Sequence, residues 1–144
     1  MIYTTILIVH SWLRWAVLAA GLAAAFRGGS DRNDTGGKWF TILLDVQFLL
    51  GLLLYFVLSP VTGAAMEDFG AAMRVPQLRF FAVEHTFGMV LAITLAHIGR
   101  GRVRKAPPEK RGRTALIFYG LALVIILASI PWPGMPAGRP LFRM

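Results

Sequence analysis

Four long apolar stretches, each bounded by charged or chain-breaking residues, dominate the hydropathy pattern. The first runs from Ile2 to Phe26 and is stopped by Arg27-Gly28-Gly29; the second lies between Lys38 and Pro60. The third lies between Arg79 and Arg100, and the fourth between Arg113 and Pro131. A helix that crosses a bilayer needs roughly 20 mostly apolar residues. The fourth stretch is nearer the lower limit, but Leu116 to Ile130 carries no charge. The pattern therefore predicts four spans, at about 2–26, 39–59, 80–99 and 114–130, within one transmembrane domain covering 1–144.

Composition agrees with this reading. The 144 residues are 56% hydrophobic and 15% charged, whereas soluble domains carry about a quarter charged residues. That excludes a disordered, fibrous or ordinary soluble chain. Without cysteine, there is no disulfide, thiolate metal site, iron–sulfur cluster or covalently attached haem. The Ala23-Ala24-Ala25 run resembles a leader cleavage site. However, no Lys or Arg precedes the first apolar stretch, and His10 and Arg14 lie inside it. An uncleaved first span is expected.

The net charge of +8 changes the picture only through its placement. Arg100 to Arg113 holds seven basic residues, and Arg27, Arg32 and Lys38 bring the total at one end of the spans to ten. The other end has Arg74, Arg79, Arg139 and Arg143. By the positive-inside rule the first and third connections are cytoplasmic and both termini face outward, to the periplasmic side. The charge is then mostly a topology signal. It calls for no nucleic-acid partner, although the basic loop is expected to be drawn to anionic lipid.

Short connections favour an all-α, integral membrane antiparallel four-helix bundle. The longer connection from Pro60 to Leu78 is expected to form an interfacial helical turn or two. Trp12, Trp15, Trp39 and Trp132 lie towards span ends, where aromatic belts belong.

The candidate chemistry resides in ionisable residues within the spans: His10, Arg14, Asp45, Glu84, His85 and His97. Each costs about 2.5–3.5 kcal/mol near a helix centre if charged, so such residues face inward and find partners. His10 is eight residues after Ile2, and His85 six after Arg79, with both helices entering from the same side. At about 1.5 Å per residue the two imidazoles share a level. The first and third helices would occupy diagonal corners roughly 11–14 Å apart, given neighbouring axes at 8–10 Å. Across that diagonal the two rings are expected not to touch, but to hold one iron between them, as in a bis-histidine haem b site. The alternative is a pair of neutral, hydrogen-bonded interior histidines.

Helical phase places Gly21 on the face of His10 and Gly88 on that of His85, leaving room for a flat macrocycle or for close helix packing. Arg14, one turn from His10, and Arg79 are candidate partners for haem propionates. Glu84 points away from His85 and is expected to meet Arg14 or Arg79. Asp45 and His97 lie in the opposite leaflet. An Asp45–His97 hydrogen bond or an Asp45–Arg100 ion pair is the structural expectation, and a proton path or quinone head-group site the functional one. Gln47 receives no role.

Several segments carry a resemblance: His10-Ser-Trp12-Leu-Arg14-Trp15, Gln47-Phe-Leu-Leu-Gly51-Leu-Leu-Leu-Tyr55-Phe, Arg79-Phe-Phe-Ala-Val-Glu84-His85, Ile98-Gly99-Arg100 and Ile130-Pro131-Trp132-Pro133. Nearly the whole chain resembles a group of small bacterial four-helix membrane proteins described as cytochrome b-like. More distantly, in helix count and His placement, it is similar to the haem modules of cytochrome b and copper-resistance-D-like proteins. The resemblance implies one haem b on His10 and His85 and a place in the bacterial inner membrane. With three histidines, at most one haem can have two His ligands, unlike the diheme members of that architecture. The acidic and Lys-rich signatures of four-helix protoporphyrinogen oxidases are lacking, so that activity is not carried over.

Three functions remain open at this level. One is a membrane electron-transfer protein or subunit, passing electrons between a quinol or partner redox subunit and an outer acceptor. The second is copper or other metal handling, since Met66, Met73 and Met135 fall on the outer side and Met89 lies one turn from His85; thioethers and imidazoles suit copper(I). The third is a structural subunit of a larger membrane complex. No nucleophile–base arrangement points to hydrolysis.

Overall fold

The computed structural model describes residues 1–142; Arg143 lies outside them. Among the described residues the chain is all-helical, and four helical segments are long and apolar enough to cross a membrane: Ile2–Arg27, Thr35–Leu58, Pro76–Lys105 and Pro108–Ala128.

Helix α1 (Ile2–Arg27) ends at Gly28, and Gly29 turns the chain with φ +80°. Helix α2 (Thr35–Leu53) starts after Asp34, which adopts the left-handed conformation and accepts a hydrogen bond from the Gly37 N–H at 3.2 Å. Asp is one of the few side chains that tolerates that conformation. Asp34 is buried, and the Tyr119 hydroxyl donates to its second oxygen. This anchors the first connection to the last span. The second span continues beyond α2 as a π-helical segment, Leu54–Leu58.

Ser59 then caps α3 (Pro60–Glu67), followed by α4 (Phe69–Ala72) and α5 (Pro76–Arg79). The long connection is thus more helical than the one or two turns expected. Ala65, Ala72 and Ala82 form a small core beneath it, with Met73 and Leu78 packed on their flank. A second π segment, Phe80–Glu84, links α5 to α6 (His85–Lys105) without a break. The third span therefore begins before the expected residue 80 and runs past 99, because nothing interrupts the helix between Pro76 and Ala106-Pro107. Helix α7 (Pro108–Ala128) places its proline at the first position, where the missing N–H costs nothing.

The first and third spans each pack on the second and fourth. The main core runs through Val17, Phe40, Leu44, Ala92, Ala96, Tyr119, Ala122 and Leu123. Small residues let the backbones approach, as expected where apolar side chains gain little by leaving lipid for protein. Gly21 is one such point: a Cβ there would lie 2.6 Å from Leu123 Cδ2 and 2.9 Å from Phe40 Cε2. Large apolar side chains such as Leu22, Leu49, Phe56, Phe87 and Val124 point outward. Apolar helices with apolar outer faces make this a multi-pass membrane protein in contact with the bilayer.

Candidate functional site

Between the four spans, at the end carrying both π segments, lies a cavity of about 160 Å³ whose lining includes His10, Arg14, Gln47, Tyr55, His85 and Arg139. His10 projects from α1, and His85 is the first residue of α6 after its π segment. A π turn widens the helix by one residue and re-aims the side chains that follow, which is why such turns recur at functional sites. The two π segments are tied together, since the Tyr55 hydroxyl donates to the Ala82 carbonyl at 2.9 Å. The Thr62 hydroxyl donates in turn to the Tyr55 carbonyl at 2.7 Å.

The imidazoles of His10 and His85 meet here, with ring centroids 6.4 Å apart and planes inclined by 69°. The two rings stand edge to face at that separation. The ring of His85 is also flanked by Phe80 and Phe81, at 6.1 and 6.2 Å. Its Nδ1 is 2.7 Å from the Ser129 carbonyl oxygen. A carbonyl only accepts, so Nδ1 carries the proton and Nε2 of the neutral ring keeps its lone pair. His10 differs: its Nδ1 is buried without a hydrogen-bond partner among the described residues. The neutral pair read from the sequence is therefore hydrogen-bonded on one side only.

Two residues absent from the candidate list set the position of His10. The Gln47 amide donates to the His10 carbonyl at 2.9 Å and is buried. Gly51 faces the ring edge, where a Cβ would lie 3.4 Å from His10 Cε1. Gln47 is a polar residue in the middle of a span, and that was the one available signal. Arg139 also lines the cavity, with its guanidinium 5.2 Å from the centre of the Phe81 ring. Its position depends on how the C-terminal segment folds back, and no local pattern encodes that.

The other candidates separate. Arg14 lines the cavity as expected, but its Nη2 donates to the Leu141 carbonyl at 2.7 Å. The Phe142 ring stacks on Trp15 at 5.4 Å, so the C-terminal segment lies along α1. Arg79 does not line the cavity; its Nε donates to Glu84 at 2.7 Å in a half-exposed ion pair, one of the two partners expected for Glu84. Gly21 and Gly88 do not line it either, because each serves helix contact. Gly21 sits against Phe40 and Leu123, whereas a Cβ on Gly88 would run into the Ser129 side chain. The smallness of Gly88 thus lets Ser129 approach, and through its carbonyl orients His85. Replacing Gly88 by Ala should displace Ser129 and lower the affinity of any ligand on His85 by about tenfold, as loss of a ligand-orienting hydrogen bond does. Titration of the purified variant checks this, and unchanged affinity would remove Gly88 from the site.

Away from the cavity, His97 Nε2 and Asp45 Oδ1 are 2.8 Å apart, with both side chains nearly half exposed on the outside of the spans. Of the structural alternatives, the Asp45–His97 hydrogen bond is the one formed. Of the methionines on the expected outer side, Met66 and Met135 are exposed and Met73 packs in the small core. Met89 alone among the four lines the cavity. Among the described residues, no three His, Cys, Asp or Glu side chains gather into a metal-binding set. The chain matches no family model, no curated protein and no solved structure.

Proposed function

We propose that the protein is a membrane-embedded electron carrier, or the electron-transfer subunit of a larger assembly, that holds one b-type haem between His10 and His85. The observation that carries this reading is the pair of imidazoles 6.4 Å apart across a cavity, one fixed with Nδ1 protonated. Two imidazoles bonded to one metal at about 2 Å each have centroids about 6 Å apart, so the pair fits a shared ion. A backbone carbonyl on the far nitrogen is the usual device for fixing a ligating imidazole. The unpartnered Nδ1 of His10 also marks a group still lacking its full complement of bonds. A buried polar nitrogen in that state costs about 1–3 kcal/mol, whether it is donor or acceptor.

When bound, haem supplies one-electron iron chemistry at a potential set by its axial ligands and surroundings. This chain's part is to present both ligands, to wall the site with Phe80 and Phe81, and to place cationic charge at its edge. Arg14 and Arg139 are the cations at the cavity; Arg14 keeps its place as a candidate partner for acidic substituents, and Arg139 takes that of Arg79. The arrangement is read as an antiparallel four-helix bundle in the bacterial inner membrane, with both termini outward by the positive-inside rule. Its electron partner is a quinol or another membrane redox subunit.

The test is an optical spectrum of the detergent-solubilised protein, first oxidised and then reduced with dithionite, combined with metal analysis. A Soret band that shifts on reduction, with one iron per chain, is expected. Copper without porphyrin would replace this reading with metal handling at His10, His85 and Met89. Colourless, metal-free protein isolated with fixed partners would make it a structural subunit.

A further inference from the structure

A second concavity, of about 330 Å³, opens at the opposite end of the spans and is lined by Arg32, Asn33, Gly101, Arg104 and Lys105. Two separate parts of the chain build it: the connection between α1 and α2 supplies Arg32 and Asn33, and the end of α6 supplies the rest. Arg32, Arg104 and Lys105 all lack an ion-pair or hydrogen-bond partner among the described residues. The carboxylate next to Arg32 is already engaged, because both oxygens of Asp31 accept from the Thr35 N–H at 3.2 and 3.3 Å. Gly101 has no side chain, and a Cβ there would meet only open space. The pocket therefore has three free cations, one amide and an unobstructed floor. Basic residues in the last turn also suit the helix dipole, but that role does not require Arg32 from another element.

Depth identifies the ligand. Ile98 on α6 and Trp39 on α2 are exposed apolar residues, and the pocket residues lie just beyond both in sequence. That is the level of lipid headgroups. The concavity is large enough for a phosphate and its glycerol.

We infer that this pocket seats the phosphodiester headgroup of an anionic phospholipid, held by Arg32, Arg104 and Lys105. This is narrower than a general attraction of the basic end for anionic membranes, because it excludes the cluster Lys110, Arg111 and Arg113. Those residues do not line the pocket, and Arg111 already donates to the Ala106 carbonyl at 3.0 Å.

The experiment uses the full chain in phosphatidylcholine nanodiscs, titrated with phosphatidylglycerol and read by native mass spectrometry and by melting temperature. Each cation near an anionic surface contributes about fivefold in affinity. The double variant Arg32→Gln with Arg104→Gln should therefore bind phosphatidylglycerol about thirtyfold more weakly. Lys110→Gln with Arg113→Gln removes the same charge and should stay within about twofold. All four side chains are exposed, so both variants should melt with the parent when phosphatidylglycerol is absent, which establishes that they fold. Inorganic phosphate and glycerol phosphate should produce no shift. Equal weakening in both double variants, or none in either, would overturn the site; a matching shift from soluble phosphate would overturn the lipid.

Discussion

Replacing either His10 or His85 by alanine should abolish the Soret band of the purified protein, whereas His97→Ala should leave it unchanged. The argument is geometric. Each of the first two imidazoles faces the other across the cavity, so loss of one leaves a shared metal with a single protein ligand. His97 is bonded to Asp45 at 2.8 Å, outside the spans' core. All three substitutions remove one imidazole, but only two remove a ligand, so the comparison separates haem ligation from a general demand for histidine. The variants are prepared like the parent and their spectra compared at equal protein concentration, oxidised and reduced. Retention of the band in both His10→Ala and His85→Ala would end the cytochrome proposal. Its loss in His97→Ala as well would move the ligands elsewhere.

The second large effect concerns stability. Gly37 packs directly against the Tyr119 hydroxyl and the Asp34 carboxylate, and a Cβ at that position would run into both. Neither group can retreat. Asp34 and Tyr119 are bonded to each other and fully enclosed, and Asp34 also caps α2 through the Gly37 N–H. Overpacking a close contact costs about 1–3 kcal/mol, and loss of a hydrogen bond to a charged group about 1.5–3 kcal/mol. Gly37→Ala should therefore destabilise the protein by about 3 kcal/mol, lowering its melting temperature in detergent by roughly 10 °C. Tyr119→Phe, which removes the hydroxyl without adding bulk, should cost about 2 kcal/mol. Circular dichroism during heating measures both. If both variants melt with the parent, the buried pair is not what anchors the first connection to α7.

These effects rest on features that differ in how far local sequence encodes them. The spans were legible because Arg27, Lys38, Arg100 and Arg113 stop apolar runs abruptly, and bilayer thickness fixes the length between them. The approach of His10 to His85 was legible in level, since rise per residue is constant, but not in closeness. Closeness is set by how the helices pack and by the π turn immediately before His85, and neither leaves a mark in the hydropathy pattern. Periodicity assigned Gly21 and Gly88 to the faces of the two histidines without revealing the neighbours. Phe40, Leu123 and Ser129 come from other helices and occupy the space the glycines leave. Gln47 was overlooked for a related reason: its partner is a backbone carbonyl on α1, and backbone acceptors carry no sequence signature.

The Arg14–Leu141 bond and the stacking of Phe142 on Trp15 have a practical corollary for anyone handling this protein. An affinity handle fused after the last residue would pull on the segment that Arg14 grips, beside the very pocket to be assayed. The amino end offers no escape, because Tyr3 and Leu7 in the first turns of α1 line the same pocket.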